Sequence, residues 1–310
     1  MSRYRHLLQR LADGRTVLVD GATGTEMQRN GLPEHVNGWY GGAALSHPDL
    51  LRSVHATYID LGAEVIISNT FATHRSVLRA AGVEHEFEAL NRRSVELAVE
   101  ARNAGARPEV VIGAGISHWS FDGNRPSLDE LEQAATEQVG IMADAGAEVI
   151  ILEMMVSIER MHRLIAAAAT TGLPVWVGFS VGDEEGGLPD RRVMTLRDDD
   201  ELLADGIASL DGCGVDLVSI MHTDVDLVDA CLDVALEHWS GPLGLYAHSW
   251  RGIDPDDYAR RCRGWIARGV GAVGACCGTV PDHITALAAL DAFDCATPGS
   301  GPPDLGPPDR

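Results

Sequence analysis

Lysine is missing from this 310-residue sequence: all 24 basic side chains are arginine. Without a lysine amine there is no Schiff-base chemistry and no phosphate loop of the P-loop kind. Basic charge is scarce as well. Against those cations stand 46 carboxylates, for a formal net charge of −22. Nucleic acid and anionic membranes would be repelled by that balance, so neither is expected as a partner. No stretch is apolar for long enough to cross a bilayer. The basic opening Met1–His6 runs into Gln9, Arg10 and Asp13, which interrupts any secretory signal, and the expected address is cytoplasmic. The six cysteines (Cys213, Cys231, Cys262, Cys276, Cys277 and Cys295) have no regular spacing. Reduced thiols, some of them metal-bound, are therefore expected rather than a disulfide framework.

What is present is a rhythm. Short apolar runs recur at Thr16–Asp20, Glu64–Asn69, Glu109–Ala114, Glu148–Glu153, Pro174–Ser180, Val215–Met221, Pro242–Ala247 and Gly271–Ala275. Continuous apolar runs of this length predict strands buried on both faces, as in a parallel sheet. Helical spacing fills the intervals, at Pro48–Leu61, Glu86–Asn103, Leu128–Ala145, Ile158–Thr171, Asp198–Leu210, Val225–His238, Pro255–Arg268 and Pro281–Ala292. A further helix-like stretch, Arg3–Leu11, opens the chain. Ser127 and Glu130 form a capping box, and Gly62, Gly146 and Gly269 close helices just ahead of strands. Eight such units predict a (β/α)8 TIM barrel as a single domain over residues 1–295. The alternative, a doubly wound open sheet, has no need of an eighth strand. Two connections are long, 21–47 and 181–197, as befits loops that hold substrate. The Pro/Gly/Asp-rich tail, 296–310, is expected to be disordered.

Barrel chemistry sits at the C-terminal ends of the strands. In order, those ends carry Asp20, Asn69, Gly115, Glu153, Ser180, His222, Tyr246 with His248, and Cys276 with Cys277. So many polar groups closing buried strands need partners or a ligand. The stretch Gly274-Ala-Cys-Cys-Gly-Thr-Val-Pro281 stands out. Strand neighbours point to opposite faces, so Cys276 and Cys277 meet at one point only where the strand has become a turn, which Gly278 permits. A thiolate pair there suits Zn²⁺, and His222, at the end of the sixth strand, completes a Cys2His set with the fourth position open. The competing reading is two small buried side chains and a helix-capping histidine. A thiol entering the open position would ionise. Asp20 and Glu153 are then placed to bind an ammonium group. Gly21, Thr23, Gly24 and Glu26 lie in a Gly-rich turn whose backbone N–H groups can hold a carboxylate, although a plain tight turn reads equally well.

With these residues in view, the sequence resembles the zinc-dependent homocysteine S-methyltransferases. The resemblance runs from Val17 to Ile284. It rests on Asp20-Gly-Ala-Thr-Gly-Thr-Glu-Met-Gln-Arg-Asn-Gly31, Ser68-Asn-Thr-Phe71, Leu152-Glu-Met154 and Gly274-Ala-Cys-Cys-Gly-Thr-Val-Pro-Asp-His-Ile284. It implies a (β/α)8 barrel in which zinc holds a homocysteine thiolate that attacks a methyl group on a sulfonium or quaternary ammonium donor. Asp20 and Glu153 would face the ammonium of the amino acid. This chain departs from the pattern in three places. His222 stands where the family has a third zinc-binding cysteine, and His248-Ser249 where it has Asn-Ser. His74 stands where betaine-using members have an aromatic residue at the donor site, with Trp39 as a further wall. A neutral imidazole makes the centre less negative than a third thiolate would, which favours a sulfonium donor. The expected partners are a small-molecule thiol and a methyl donor; homo-oligomerisation stays open. A zinc hydrolase on the same barrel and a non-catalytic zinc-binding relative are the alternatives. Sulfur-rich ligation argues against the first, since thiolates make bound water a weaker acid.

Overall fold

The computed structural model describes residues 2–35, 38–182, 196 and 201–293. Eight strands, β1 Val17–Leu18, β2 Val65–Ile67, β3 Val111–Ile116, β4 Val149–Met155, β5 Val175–Phe179, β6 Leu217–Asp224, β7 Leu243–His248 and β8 Val270–Val273, form one parallel sheet. Each neighbours the next in chain order, and β1 pairs with β8. A parallel bridge between Val19 and Val65 joins β1 to β2 and closes the ring. The open-sheet alternative is thereby excluded.

Among the described residues, twelve α-helices accompany the strands: α1 Arg3–Ala12, α2 Thr23–Arg29, α3 Ala43–Ser46, α4 Pro48–Asp60, α5 Arg75–Ala80, α6 Phe87–Ala104, α7 Leu128–Asp144, α8 Ile158–Ala169, α9 Leu203–Ala208, α10 Val228–His238, α11 Pro255–Ala267 and α12 Pro281–Ala288. Ser127 caps α7 with the expected reciprocal bonds to Glu130. The Gly-rich stretch Gly21–Glu26 differs from the tight turn expected, because Thr23 already begins α2. The long first connection, 21–47, holds α2 and α3, and the connection after β2 holds α5 ahead of α6. The expected helix over 198–210 is described only as α9, with 198–200 outside the described residues. Of the long connection 181–197, Val181, Gly182 and Leu196 are described, and Val181 bridges Leu196 antiparallel. The tail 296–310 lies outside the described residues, as does Cys295.

Strand alternation sorts the core into two layers. In β4, Ile150 and Leu152 face the helices, whereas Val149 and Ile151 face the barrel interior with Val17, Val65, Val111 and Trp176. Helix α1 closes the bottom of that interior: Tyr4 and Leu7 pack into it, and Trp176 Nε1–H donates to the Tyr4 hydroxyl at 2.9 Å. Two acids just ahead of strands lock the same end. Glu64 accepts from Leu18 N at 3.2 Å and pairs with Arg10. Glu148 accepts from Ile112 N at 3.1 Å and pairs with Arg102 at 2.6 Å. The floor is stiff and satisfied, which leaves the other mouth free for chemistry.

On α4, His55 is fully buried and neither ring nitrogen has a hydrogen-bond partner. Burial pushes its imidazole from 6.5 down to about 4. The unfolded chain therefore takes up a proton near 6.5 that the folded chain refuses until about 4. This contribution to stability is complete above pH 6.5 and is lost as pH falls through that interval. Unfolding free energies measured in urea should decline by up to about 1.4 kcal/mol per pH unit from this residue between those values. His55→Leu should remove that portion of the slope; an unchanged slope would refute the assignment.

Candidate metal centre and active site

Strand β8 ends at Val273, so Cys276 and Cys277 lie beyond the ladder in a turn. That turn is held from several directions. Cys276 N donates to Ala247 O at 3.0 Å, Ser249 N donates to Cys277 O at 3.0 Å, and Thr279 N donates to Cys276 O at 3.2 Å. Thr25 of α2 accepts from Gly278 N at 3.2 Å. Gly278 has φ +77°, and a Cβ there would stand 2.3 Å from Ser249 O, so only glycine fits. With the strand broken in this way, both thiols reach one side, and their sulfurs are 3.8 Å apart.

His222 reaches them by a different device. It lies inside β6, two residues short of its end, and not at the terminus expected. Met221 pairs with Tyr246 and Asp224 with His248, so two residues of β6 oppose one of β7: a β-bulge. His222 is the bulged residue, at φ +42°. That conformation is costly for a non-glycine residue and turns the ring toward β8. Its Nδ1 lies 3.6 Å from Cys276 Sγ, and donor atoms of all three residues fall within 4.8 Å of one another. Strand β4 repeats the arrangement: Leu152 pairs with Val177 and Met155 with Phe179, and Met154 takes φ +58°. Trp39, at φ +44°, is the remaining positive-φ residue among the described non-glycines. All three strained residues line one cavity of about 410 Å³.

That cavity is acidic on one side. Asp20 is 4% exposed and accepts from Ile67 N at 2.9 Å. Burial pushes its carboxyl well above the usual range, against the pull of that hydrogen bond. Glu153 is raised well above it too, first by burial and then by the charges of Cys276 and Asp20. The space for its carboxylate comes from Gly115, where a Cβ would fall 2.0 Å from Glu153 Oε2. Cys276 is itself pushed up, first by Cys277 and then by burial, while His222 pulls the other way. None of the described residues lining the cavity is an arginine. Charge here is unbalanced, and an ammonium group together with a divalent cation would restore the balance.

Gly21, Thr23, Gly24, Trp39, Asn69, Glu153 and Tyr246 join Asp20 and the three metal-type donors in the cavity wall. Asn69 is oriented by its own amide, which donates to Tyr40 O at 2.9 Å. Three expected binding residues fall elsewhere. Glu26 pairs with Arg29 at 2.8 Å and accepts from Asn30. His248 is fully buried behind His222, with ring centroids 4.8 Å apart. His74 is absent from this wall, its two ring nitrogens taken up by Trp119 O at 2.8 Å and Ser76 Oγ at 2.9 Å. The opposite wall is aromatic. Phe71 meets Trp39 and Phe121 edge-on, at 5.9 and 6.3 Å between centroids, with Trp119 and Trp250 lining the same space. Of these, only Trp39 was expected; the available signal was the position of Phe71, Trp119 and Trp250 just past strand ends.

Comparison with known proteins agrees with this architecture. A relative from Escherichia coli, named homocysteine S-methyltransferase, is 27% identical over 310 residues, covering 88% of this chain and 94% of its own length. A Bacillus subtilis protein of the same designation, YbgG, is 24% identical and covers 88% and 93%. A selenocysteine methyltransferase from Astragalus bisulcatus is 25% identical and covers 88% and 92%. Among solved structures, the metallated form of the E. coli homocysteine methyltransferase MmuM superposes with a TM-score of 0.77 at 25% identity, covering 91% of this chain and 99% of that one. The family profile described as homocysteine S-methyltransferase matches residues 17–290. With nearly the whole barrel matched, the chain belongs to the homocysteine S-methyltransferase family.

Proposed function

We propose that this protein binds one Zn²⁺ through His222 Nδ1, Cys276 Sγ and Cys277 Sγ and transfers a methyl group from a sulfonium donor to the thiol of homocysteine. The spacing of the donor atoms carries the reading. Tetrahedral zinc, with bonds of about 2.3 Å to sulfur and about 2.0–2.1 Å to nitrogen, puts two sulfurs about 3.8 Å apart and sulfur and nitrogen about 3.6 Å apart. The separations here are 3.8 and 3.6 Å.

Zinc, when bound, supplies the charge that keeps an incoming thiol ionised at neutral pH. The chain's own residues do the rest. Asp20 and Glu153 receive the ammonium of the amino acid, which relieves two carboxylates that burial disfavours. Gly21 follows Asp20 into the wall, and Thr23 and Gly24 offer backbone N–H groups of the first turn of α2 to the carboxylate of the amino acid. The thiol proton leaves to solvent. Trp39, Phe71, Trp119 and Trp250 present aromatic faces to the cationic donor. The new sulfur–carbon bond forms as the donor's sulfur–carbon bond breaks in line, and a neutral thioether departs. His222 leaves the centre with one negative charge fewer than a third thiolate would. That lowers nucleophilicity and favours a sulfonium over a quaternary ammonium leaving group. Reduced thiols fit a cytoplasmic setting, since all five described cysteines are free.

Metal analysis of the purified protein should give about one zinc per chain, and Cys276→Ser, Cys277→Ser and His222→Ala should each lose most of it. With zinc bound, homocysteine addition should release a proton. S-methylmethionine should outperform glycine betaine as donor in parallel assays; activity with betaine alone would refute the sulfonium assignment.

Glu153→Gln gives a separate check. A carboxyl whose folded pKa is raised binds more protons folded than unfolded, so its contribution to stability falls as pH rises through the raised value. At pH 7 and above, Glu153→Gln should raise Tm of the substrate-free protein and weaken homocysteine binding at least tenfold. A lower Tm with intact affinity would count against the assigned role.

A further inference from the structure

We infer that His74 is a positioning residue for the methyl donor, acting through the Trp119 backbone to hold the aromatic wall in place. This rests on the reading above, in which that wall receives the donor. His74 does not touch the cavity itself. It follows the β2 connection, Ser68–Thr73, and its ring reaches across to the connection after β3. The first connection carries Phe71 to the cavity; the second carries Trp119 and Phe121. Phe71 and Phe121 meet edge-on, so the wall is assembled from two separate loops. The His74 ring is a direct polar tie between them.

The chemistry of that tie determines the tautomer. Trp119 O can only accept, so His74 Nε2 carries the hydrogen and donates at 2.8 Å. Nδ1 is then the acceptor for the Ser76 hydroxyl at 2.9 Å. Burial pushes the imidazole down to about 4, so the ring stays neutral at ordinary pH. A neutral, fully bonded imidazole suits a strap and not a proton carrier.

The strap is anchored on its far side. Thr73 donates from its hydroxyl to Asn91 Oδ1 at 2.7 Å, and Asn91 Nδ2 returns to Thr73 O at 3.0 Å and to Phe87 O at 2.8 Å. Gln138 of α7 donates to Asn91 Oδ1 at 2.9 Å. Ser94 of α6 holds Asn69 O at 3.2 Å, and Thr70 holds Gly115 O at 2.7 Å. Thr70, Thr73 and Asn91 are each wholly buried. The base of this connection is therefore rigid, and displacement at His74 passes to the Trp119 loop and not back into α6.

The test compares His74→Leu, which deletes the donor, with His74→Gln, whose amide nitrogen can replace Nε2. Full-length, zinc-loaded protein is assayed with S-methylmethionine and homocysteine. His74→Leu should raise KM for the donor about tenfold while KM for homocysteine and zinc content stay within about twofold, and His74→Gln should recover most of the loss. Amide hydrogen exchange over residues 117–127 should speed up in His74→Leu and return toward wild type in His74→Gln, whatever the catalytic outcome. Both KM values rising together, or no rescue by Gln, would reduce His74 to a general stabilising residue and overturn the proposal. If the wild-type protein transfers no methyl group while exchange still responds to the two variants, the functional reading fails and the strap alone stands. If exchange does not respond, the strap itself is refuted.

Discussion

Neighbouring side chains on an extended strand point in opposite directions, and the mouth of this barrel depends on breaking that rule in three places. Cys276 and Cys277 converge because the chain has left β8 and turned through Gly278. His222 faces them because β6 carries an extra residue and places it at φ +42°. Met154, beside Glu153, repeats the device in β4. Each departure costs conformational energy that a regular barrel would avoid. The cost is borne by the ladders on either side and by a floor in which Trp176, Tyr4 and the Glu64 and Glu148 ion pairs satisfy one another.

Electrostatics reinforces the same division. The floor pairs Glu64 and Glu148 with arginines. The mouth gathers Asp20, Glu153 and two thiols with no arginine among the described residues of its wall. Burial disfavours the Asp20 and Glu153 carboxylates, and Cys277, then burial, disfavour the Cys276 thiolate, so an ammonium group and a divalent cation would stabilise all three. The large negative charge of the whole chain plays no comparable part, since it sits on exposed side chains and is screened by salt.

Aromatic residues complete the second half of the cavity, and they come from loops and not from strands. Phe71, Trp119, Phe121 and Trp250 share no motif and no spacing. Loops are able to vary while the barrel stays constant, so one scaffold can present different side chains to a ligand. His74 illustrates the consequence. In sequence it occupies a place that suggests direct donor contact, yet its ring turns outward to hold a neighbouring loop.

The sequence by itself determined the barrel, because eight doubly buried strands announce themselves as continuous apolar runs and a local pattern is all they need. It also brought the metal-type donors and the acid pair to one mouth of the barrel, since residues near strand ends inherit that location from the strand, but the bulge that turns His222 toward the cysteines belongs to the tertiary structure. Tertiary structure alone decided which polar residues face the cavity. Glu26, His74 and His248 look equivalent to Asp20 and Asn69 along the chain, but each is engaged elsewhere: Glu26 by Arg29 three residues on in α2, His74 by Trp119 across two loops, and His248 behind the His222 ring. Orientation depends on a rotamer, on a bulge register and on contacts between loops, and none of these leaves a periodic trace in the order of residues.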